Sequence, residues 1–377
     1  MRAIFVCALL CLQAGVGLRF PESSPESSPE SSNSTGHFAC STVCASRTHG
    51  RRSRSCPFAE LLGKKYYYWN TYRPSSVQDF IVETRCGDGV HSVGNGELGG
   101  RILRAMGGKH VVVIGDSTMR QTYLGLLCML WEEGLVGDVP ERAVEAVAAT
   151  GTEAEEHIKT TLPELGWGTT FSFVRVRQYT ATPHTMLMDI LDTADITVAN
   201  MGVWYMDLSH QQLLHDKYAA DARILLGNIA KRGRPGHRTF WRETLICPMQ
   251  DTTPEEESPH FYGCTPRPNT LLHEANRAFY SLQPEFKEVE VLPVSDLFLP
   301  FWWAHPGVTD CCHFVSQMPG LLSATSRLLV AMLLRPAHQP LSVKTAAFGG
   351  TQQAVCPSTL GETCKAEKEV LWGPRAH

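Results

Sequence analysis

The chain has 377 residues, with 34 Lys and Arg against 38 Asp and Glu, a formal net charge of −4 and 43% hydrophobic residues. That is the balance of a globular protein with a buried core, long enough for one large α/β domain or two smaller ones. With a pI near 6.4 and a mean hydropathy of −0.14, bulk charge gives no reason to expect a nucleic-acid partner, and a multi-span membrane protein is excluded.

In chain order, Arg2 opens an apolar run from Ala3 to Val16, interrupted only by Gln13 and followed by the small residue Gly17. The run is shorter than the ~20 apolar residues of a spanning helix. It reads as a signal peptide over residues 1–17, or as a retained signal anchor, and membrane association is expected through this segment alone. The expected location is the secretory pathway: the Golgi lumen, the cell surface or the exterior.

Cys7 and Cys11 leave with a cleaved leader, and eleven of the 13 cysteines remain. In an oxidising lumen these are expected to form several disulfides of open connectivity, with one thiol left over. Zinc is the rival reading for Cys40-x-x-x-Cys44, but no matching Cys/His pair follows at finger spacing, so no metal is expected. Asn33-Ser34-Thr35 is an exposed glycosylation sequon. Pro-Glu-Ser-Ser, repeated three times from Pro21 to Ser32, marks residues 18–55 as a low-complexity spacer. The globular domain is expected over residues 56–335. Residues 336–377 form a tail whose Cys356 and Cys364 offer disulfide anchors.

Within the domain, Val111 to Ile114 is apolar and β-branched, as in a parallel strand buried on both faces. Tyr123, Leu126, Leu127 and Leu130 recur at helical spacing just beyond it. Phe171 to Arg177 alternates like a strand, and Asp195 to Asn200 is another short apolar strand. Residues 209–231 read as a helix, Arg238 to Ile246 and Glu288 to Leu292 as strands, and Leu321 to Leu334 as an apolar helix. Alternating strands and helices predict a mostly parallel sheet covered on both faces. Such sheets bind ligands at the carboxyl ends of their strands.

Ser117 follows the first buried strand in Gly115-Asp116-Ser117, where a strand-to-helix turn projects the hydroxyl into the crevice and aims backbone N–H groups at an anion. The bland alternative is a helix cap. Asp310 stands three residues before His313, near enough on one turn to hold the imidazole tautomer whose Nε2 acts as a base. Here too the alternative is a capped helix start. Gly94-Asn-Gly96-Glu-Leu-Gly99 lacks the preceding strand and spacing of a dinucleotide site.

Taken together, these blocks resemble the trichome-birefringence-like and PC-esterase group of the GDSL/SGNH-type acyl esterases. Val113-Ile-Gly-Asp-Ser-Thr-Met-Arg120 with Leu126-Leu-Cys128 is similar to the first block of that family. Trp69 and Arg73-Pro74 resemble the segment ahead of it, and Ala199-Asn-Met-Gly-Val-Trp204 the next block. Phe240-Trp-Arg242 through Cys247-Pro248, then His260 to Cys264, follow in order, and His305-Pro306 with Asp310-Cys-x-His313 match the close. The chain departs from the plant-type pattern at Val315 and Ser76, where cysteines are usual.

The resemblance implies an SGNH-hydrolase-like three-layer α/β/α fold and acyl transfer through a Ser117 acyl-enzyme. In it, His313 is base and then acid, and Asp310 its orienter. It implies oxyanion donors at the Ser117 N–H plus Gly202 N–H or the Asn200 amide; Asp116 is expected to support the turn or to cap the helix, and Arg120 to steady the donor or the crevice or to stand as a surface helix arginine. Trp204, Trp303 and His305 fall beside this site and are expected either to line a glycan platform or to pack in the core. Three activities stand open: a polysaccharide O-acetyltransferase, a secreted carbohydrate acetylesterase, and a non-catalytic glycan-binding protein. The partner expected is a polysaccharide or glycan. No tightly bound cofactor is expected, and acetyl-CoA or an acetylated carrier would be consumed as a substrate. Cys311 and Cys312 are expected to bridge to other cysteines and fix the turn that carries His313.

Overall fold

A computed structural model describes residues 40–46, 56–58, 80–86, 97–137, 144–147, 157–166, 168–179, 185–207, 212–245, 247–250, 264–268, 270–298, 301, 305, 311–314 and 320–335. All belong to the compact unit His37–His377; a first unit, Met1–Gly36, lies outside the described residues, as do the expected leader, the glycosylation sequon and the tail.

The strands are β1 (Cys40–Ser46), β2 (Phe80–Cys86), β3 (His110–Gly115), β4 (Val144–Val147), β5 (His157–Thr161), β6 (Thr170–Arg175), β7 (Ile196–Asn200), β8 (Met206–Asp207), β9 (Gln212–Leu213), β10 (Arg238–Arg242), β11 (Pro248–Gln250), β12 (Cys264–Pro268) and β13 (Val289–Leu292). The helices are α1 (Glu97–Met106), α2 (Ser117–Glu132), α3 (Thr185–Leu191), α4 (His215–Arg232), α5 (Thr270–Leu282), α6 (Ser295–Phe298) and α7 (Ala324–Leu333). Strand β1 pairs with β2, which puts regular structure inside the segment expected as a spacer.

One sheet of seven strands runs in the order β13-β10-β7-β3-β6-β5-β4. Strands β13, β10, β7, β3 and β6 are parallel; β5 and β4 add an antiparallel edge. The first parallel strand, β3, thus lies between the second and the third. Its neighbours are entered by crossovers in opposite directions, and that reversal opens a crevice at the carboxyl ends of β3 and β7. The two residues that leave this crevice are Asp116, ahead of Ser117, and Met201, ahead of Gly202.

Strict alternation along the strands sorts the core into two layers. Val111, Val113, Phe171, Phe173 and Phe240 face α1, α2 and α7 through Ile102, Leu127 and Leu328. Val112, Ile114, Val174 and Trp241 face α3, α4 and α5 through Leu187, Leu225 and Phe279. Trp241 lies flat on Phe279, with ring centroids 4.6 Å apart. The result is three layers, α/β/α, around a mostly parallel sheet, as the alternation of elements predicts.

Helix α2 is buried from Thr118 to Leu130 because it sits between the sheet and α7, which explains an apolar surface wider than one stripe. At Gly125 a Cβ would fall 1.9 Å from the Leu322 carbonyl, so glycine alone admits α7 at this distance. Glu132 and the adjoining Glu133 put two carboxylates at the carbonyl end of α2, an unfavourable place for them. Buried Arg327 of α7 offsets this, donating to Glu132 and Glu133 at 2.9 Å each. A disulfide from Cys56 to Cys128 ties the start of the domain to the same helix. Among the described residues, no helix is long and apolar enough to cross a membrane.

Candidate active site

The turn from β3 into α2 is dictated by Gly115. Its φ is +148°, and a Cβ there would lie 2.1 Å from the Asn200 carbonyl oxygen and 2.6 Å from Met119 Cγ. The backbone therefore passes against the end of β7, and Ser117, half-buried, starts α2 beside Asn200. Asp116 caps that helix. Its Oδ1 accepts from Thr118 N at 2.8 Å and from Thr118 Oγ1 at 2.7 Å. The expected cap and turn-support roles of Asp116 are thus one and the same.

Beneath the serine lies a buried polar network centred on Arg242, the last residue of β10. Arg242 Nη2 donates to Thr118 Oγ1 at 2.8 Å and to Asn200 Oδ1 at 3.4 Å. Burial pushes its pKa down to about 10, with Asp116 and Glu243 acting in the opposite direction. Asn200 Nδ2 donates to the Arg242 carbonyl at 2.8 Å and to Thr244 Oγ1 at 3.0 Å, so both of its N–H groups are engaged. Thr244 in turn exchanges backbone hydrogen bonds with the Asn276 amide of α5 at 2.7 and 3.0 Å. A Cβ on Gly202 would strike Thr244 Oγ1 at 2.1 Å, so this glycine is what lets the strand end approach the network.

The loop that carries His313 is held by three ties. Cys312 is disulfide-bonded to Cys247, just beyond β10, and Cys311 is disulfide-bonded as well, as expected of this pair. His305 Nδ1 donates to the His313 carbonyl at 2.6 Å, and its ring packs on Phe314 at 4.4 Å between centroids. Gln121 closes the arrangement: its amide donates to Phe314 O at 2.8 Å and accepts from Phe314 N at 3.0 Å. Gln121 stands four residues after Ser117, on the same face of α2. The residue after His313 is thereby clamped one turn from the serine. His313 is half-buried, with its Nε2 shielded from solvent. Asp310 and Trp303 lie outside the described residues.

Trp204 sits on the short turn after Gly202 and is 41% exposed. The Arg177 guanidinium lies 4.7 Å over its ring. Arg120, one turn into α2, is buried and lies 5.9 Å over Phe173. Burial and the guanidiniums of Arg175 and Arg177 push its pKa down to about 9, with Asp116 opposing. Among the described residues there is no group of three or more His, Cys, Asp or Glu side chains arranged to hold a metal ion.

Sequence reasoning does not reach Gln121, Thr244 or the role of Arg242. Gln121 is joined to its partner across 193 residues, and nothing local marks it. For Arg242 a signal exists: a charged residue closes an otherwise buried strand, Phe240-Trp241-Arg242.

No family model and no curated protein matches the chain. Among solved structures it is similar to the C-terminal catalytic domain of peptidoglycan O-acetyltransferase A (OatA) of Streptococcus pneumoniae, determined with a methylsulfonyl adduct. Identity is 15% and the TM-score 0.30, over 63% of this chain and 98% of that domain.

Proposed function

We propose that the chain is an O-acyltransferase of the secretory pathway that acetylates a glycan hydroxyl through an acyl-enzyme on Ser117. The observation that supports this reading most is the Gln121–Phe314 clamp, which holds the His313 loop against the face of the helix that Ser117 begins. The order of blocks shared with the PC-esterase group adds to it.

In this mechanism His313 takes the proton of Ser117 Oγ as that oxygen attacks the acetyl carbonyl of the donor. Asp310 orients the ring and stabilises the imidazolium. The oxyanion is held by the Ser117 backbone N–H at the positive end of α2 and by the Gly202 backbone N–H beyond β7. Asn200, whose amide is committed to Arg242 and Thr244, serves as a positioning residue for the Gly202 strand end. The intermediate collapses with return of the proton from His313 to the departing thiol or alcohol of the donor. The acceptor hydroxyl then loses its proton to His313, attacks the acetyl carbon, and Ser117 Oγ leaves and recovers a proton. Water in place of the sugar hydroxyl gives the esterase reaction from the same intermediate.

The test is labelling of the purified mature protein by a fluorophosphonate, beside Ser117→Ala and His313→Ala, with acetyl release from an aryl acetate measured with and without oligosaccharide. Labelling abolished in the first variant and reduced at least 100-fold in the second, with acetyl appearing on the sugar, is the expected result. Equal labelling in all three proteins, or none in any, overturns the reading in favour of a glycan-binding protein.

A further inference from the structure

Arg242 closes β10 in a row of residues that crosses the end of the sheet. Gly115 of β3 is the register partner of Asn200, and Trp241 of β10 pairs with Ala199, so Arg242 follows level with Asn200 on the next strand. By the alternation that puts Val198 and Phe240 under α2, Asn200 and Arg242 belong to that same face. A single nitrogen, Nη2, reaches two acceptors there: the Thr118 hydroxyl on the helix and the Asn200 amide oxygen at the strand end. The Thr118 hydroxyl donates in turn to Asp116 Oδ1, so it stands between a buried cation and a buried anion.

The remaining donors of this guanidinium do nothing for the fold. Among the described residues, nothing accepts from Arg242 Nε or Nη1 and nothing donates to Asp116 Oδ2, although all three atoms are buried. The adjoining Glu243 is committed elsewhere, accepting from Ser295 N at 3.0 Å, Ser295 Oγ at 2.7 Å and the Tyr280 hydroxyl at 2.5 Å. An apolar side chain of similar length would fill this place without burying a charge or orphaning donors. What a buried donor supplies here is a tie between the first turn of α2 and the end of β7. Ser117 N–H lies on the first, and Gly202 N–H follows the second, two residues past Asn200. A misplacement of about 1 Å between such donors is enough to cost ~100-fold in rate.

We infer that Arg242 is the positioning residue of the oxyanion site: its Nη2, bonded to Thr118 on one side and to Asn200 on the other, sets the gap between the Ser117 N–H and the Gly202 N–H. The inference rests on the reading of Ser117 as an acyl-transfer centre, and adds to it the group that aims both donors at one acyl oxygen.

The test compares the full chain with Arg242→Met, Arg242→Lys, Thr118→Val and Thr118→Ser. Fluorophosphonate labelling gives two readings: the fraction labelled at completion counts folded molecules, and the rate reports the site. Acetyl release from an aryl acetate gives kcat and KM. Arg242→Met is expected to label about 100-fold more slowly, with the loss in kcat and KM little changed, as for an interaction felt in the transition state. Arg242→Lys keeps a buried donor and is expected to recover part of that loss. Thr118→Val is expected to slow labelling about tenfold, and Thr118→Ser, which keeps the hydroxyl, to restore it. A role in stability alone would lower the labelled fraction and the unfolding midpoint and leave the rate of the remaining molecules as it was. If Arg242→Met labels within about threefold of the unaltered protein, the inference is overturned while acyl transfer stands. Should Arg242→Met fail to fold, the Thr118 pair decides, and a Thr118→Val rate equal to the original overturns the inference. Neither labelling nor acetyl release by the unaltered protein removes the acyl-transfer reading and the positioning role together.

Discussion

Replacing Gln121 isolates the contribution of the clamp, because this side chain holds the histidine loop and touches no reacting atom in the mechanism above. In Gln121→Leu the volume is nearly kept, but Phe314 loses partners for both its N–H and its carbonyl. Both lie in a buried setting, and each unsatisfied group costs about 1–3 kcal/mol. The disulfide to Cys247 and the bond from His305 still hold the loop at residues 312 and 313. Part of the cost is therefore relieved by local loosening, leaving a stability loss of about 2 kcal/mol. A displacement of the base by about 1 Å is enough to cost ~100-fold in rate. The assay is the second-order rate of fluorophosphonate labelling at Ser117, expected to fall 10- to 100-fold. Gln121→Glu supplies a readout that a purely structural role would not move. The ionised carboxylate repels the Phe314 carbonyl, whereas the protonated acid again offers one donor and one acceptor. The labelling rate of Gln121→Glu relative to the unaltered protein should therefore climb as pH falls. A labelling rate in Gln121→Leu within twofold of the original would refute the idea that the clamp sets the geometry of the base.

Three further outcomes follow from the same structure. Arg327→Met should destabilise the fold by about 3–5 kcal/mol in denaturant melts, since it strands two buried carboxylates at the carbonyl end of α2; a loss under 1 kcal/mol would contradict that account. Removing the Cys247–Cys312 bridge as a double alanine variant should lower stability by about 2–4 kcal/mol and slow Ser117 labelling further, whereas unchanged labelling would mean that Gln121 and His305 hold the loop unaided. Burial, then the nearby His110 and Lys159, push His157 down to about 4, below its ordinary range. The neutral ring is the form that suits the fold, so stability is full above pH 6.5 and declines as pH falls toward 4. The upper bound on the decline is about 3 kcal/mol at 1.36 kcal/mol per unit. In His157→Gln the difference between melts at pH 7.5 and 4.5 should shrink, and an unaltered difference would remove His157 as its source.

What could be read from the sequence followed burial. An all-apolar run such as Val111 to Ile114 has only one comfortable place, inside a covered parallel sheet, and the serine after it inherits a position at the strand end. The antiparallel edge escaped notice because β5, His157-Ile-Lys-Thr-Thr161, carries a single strong apolar residue. Helix α1 is hard to see because Gly99 and Gly100 weaken its first turn. At the site, Ser117 and Gly115 announce themselves locally through a turn that only glycine can make. Gln121 does not, because what defines it is a partner far along the chain. Arg175 reads merely as part of the polar half of an alternating strand until the register sets it opposite Gly115.

Helix α2 spans 16 residues, about 24 Å of rise, with the serine at one end and Arg327 gripping the other. Such a rod behaves as a lever arm. A tilt of about 5° about its far end moves the near end by about 2 Å, more than the displacement that costs ~100-fold in rate. Substitutions at Glu132, Glu133 or Gly125 should therefore be felt at the crevice as if they were made within it. Under the proposed acyl transfer, variation that adjusts activity has a handle at the end of α2 opposite Ser117.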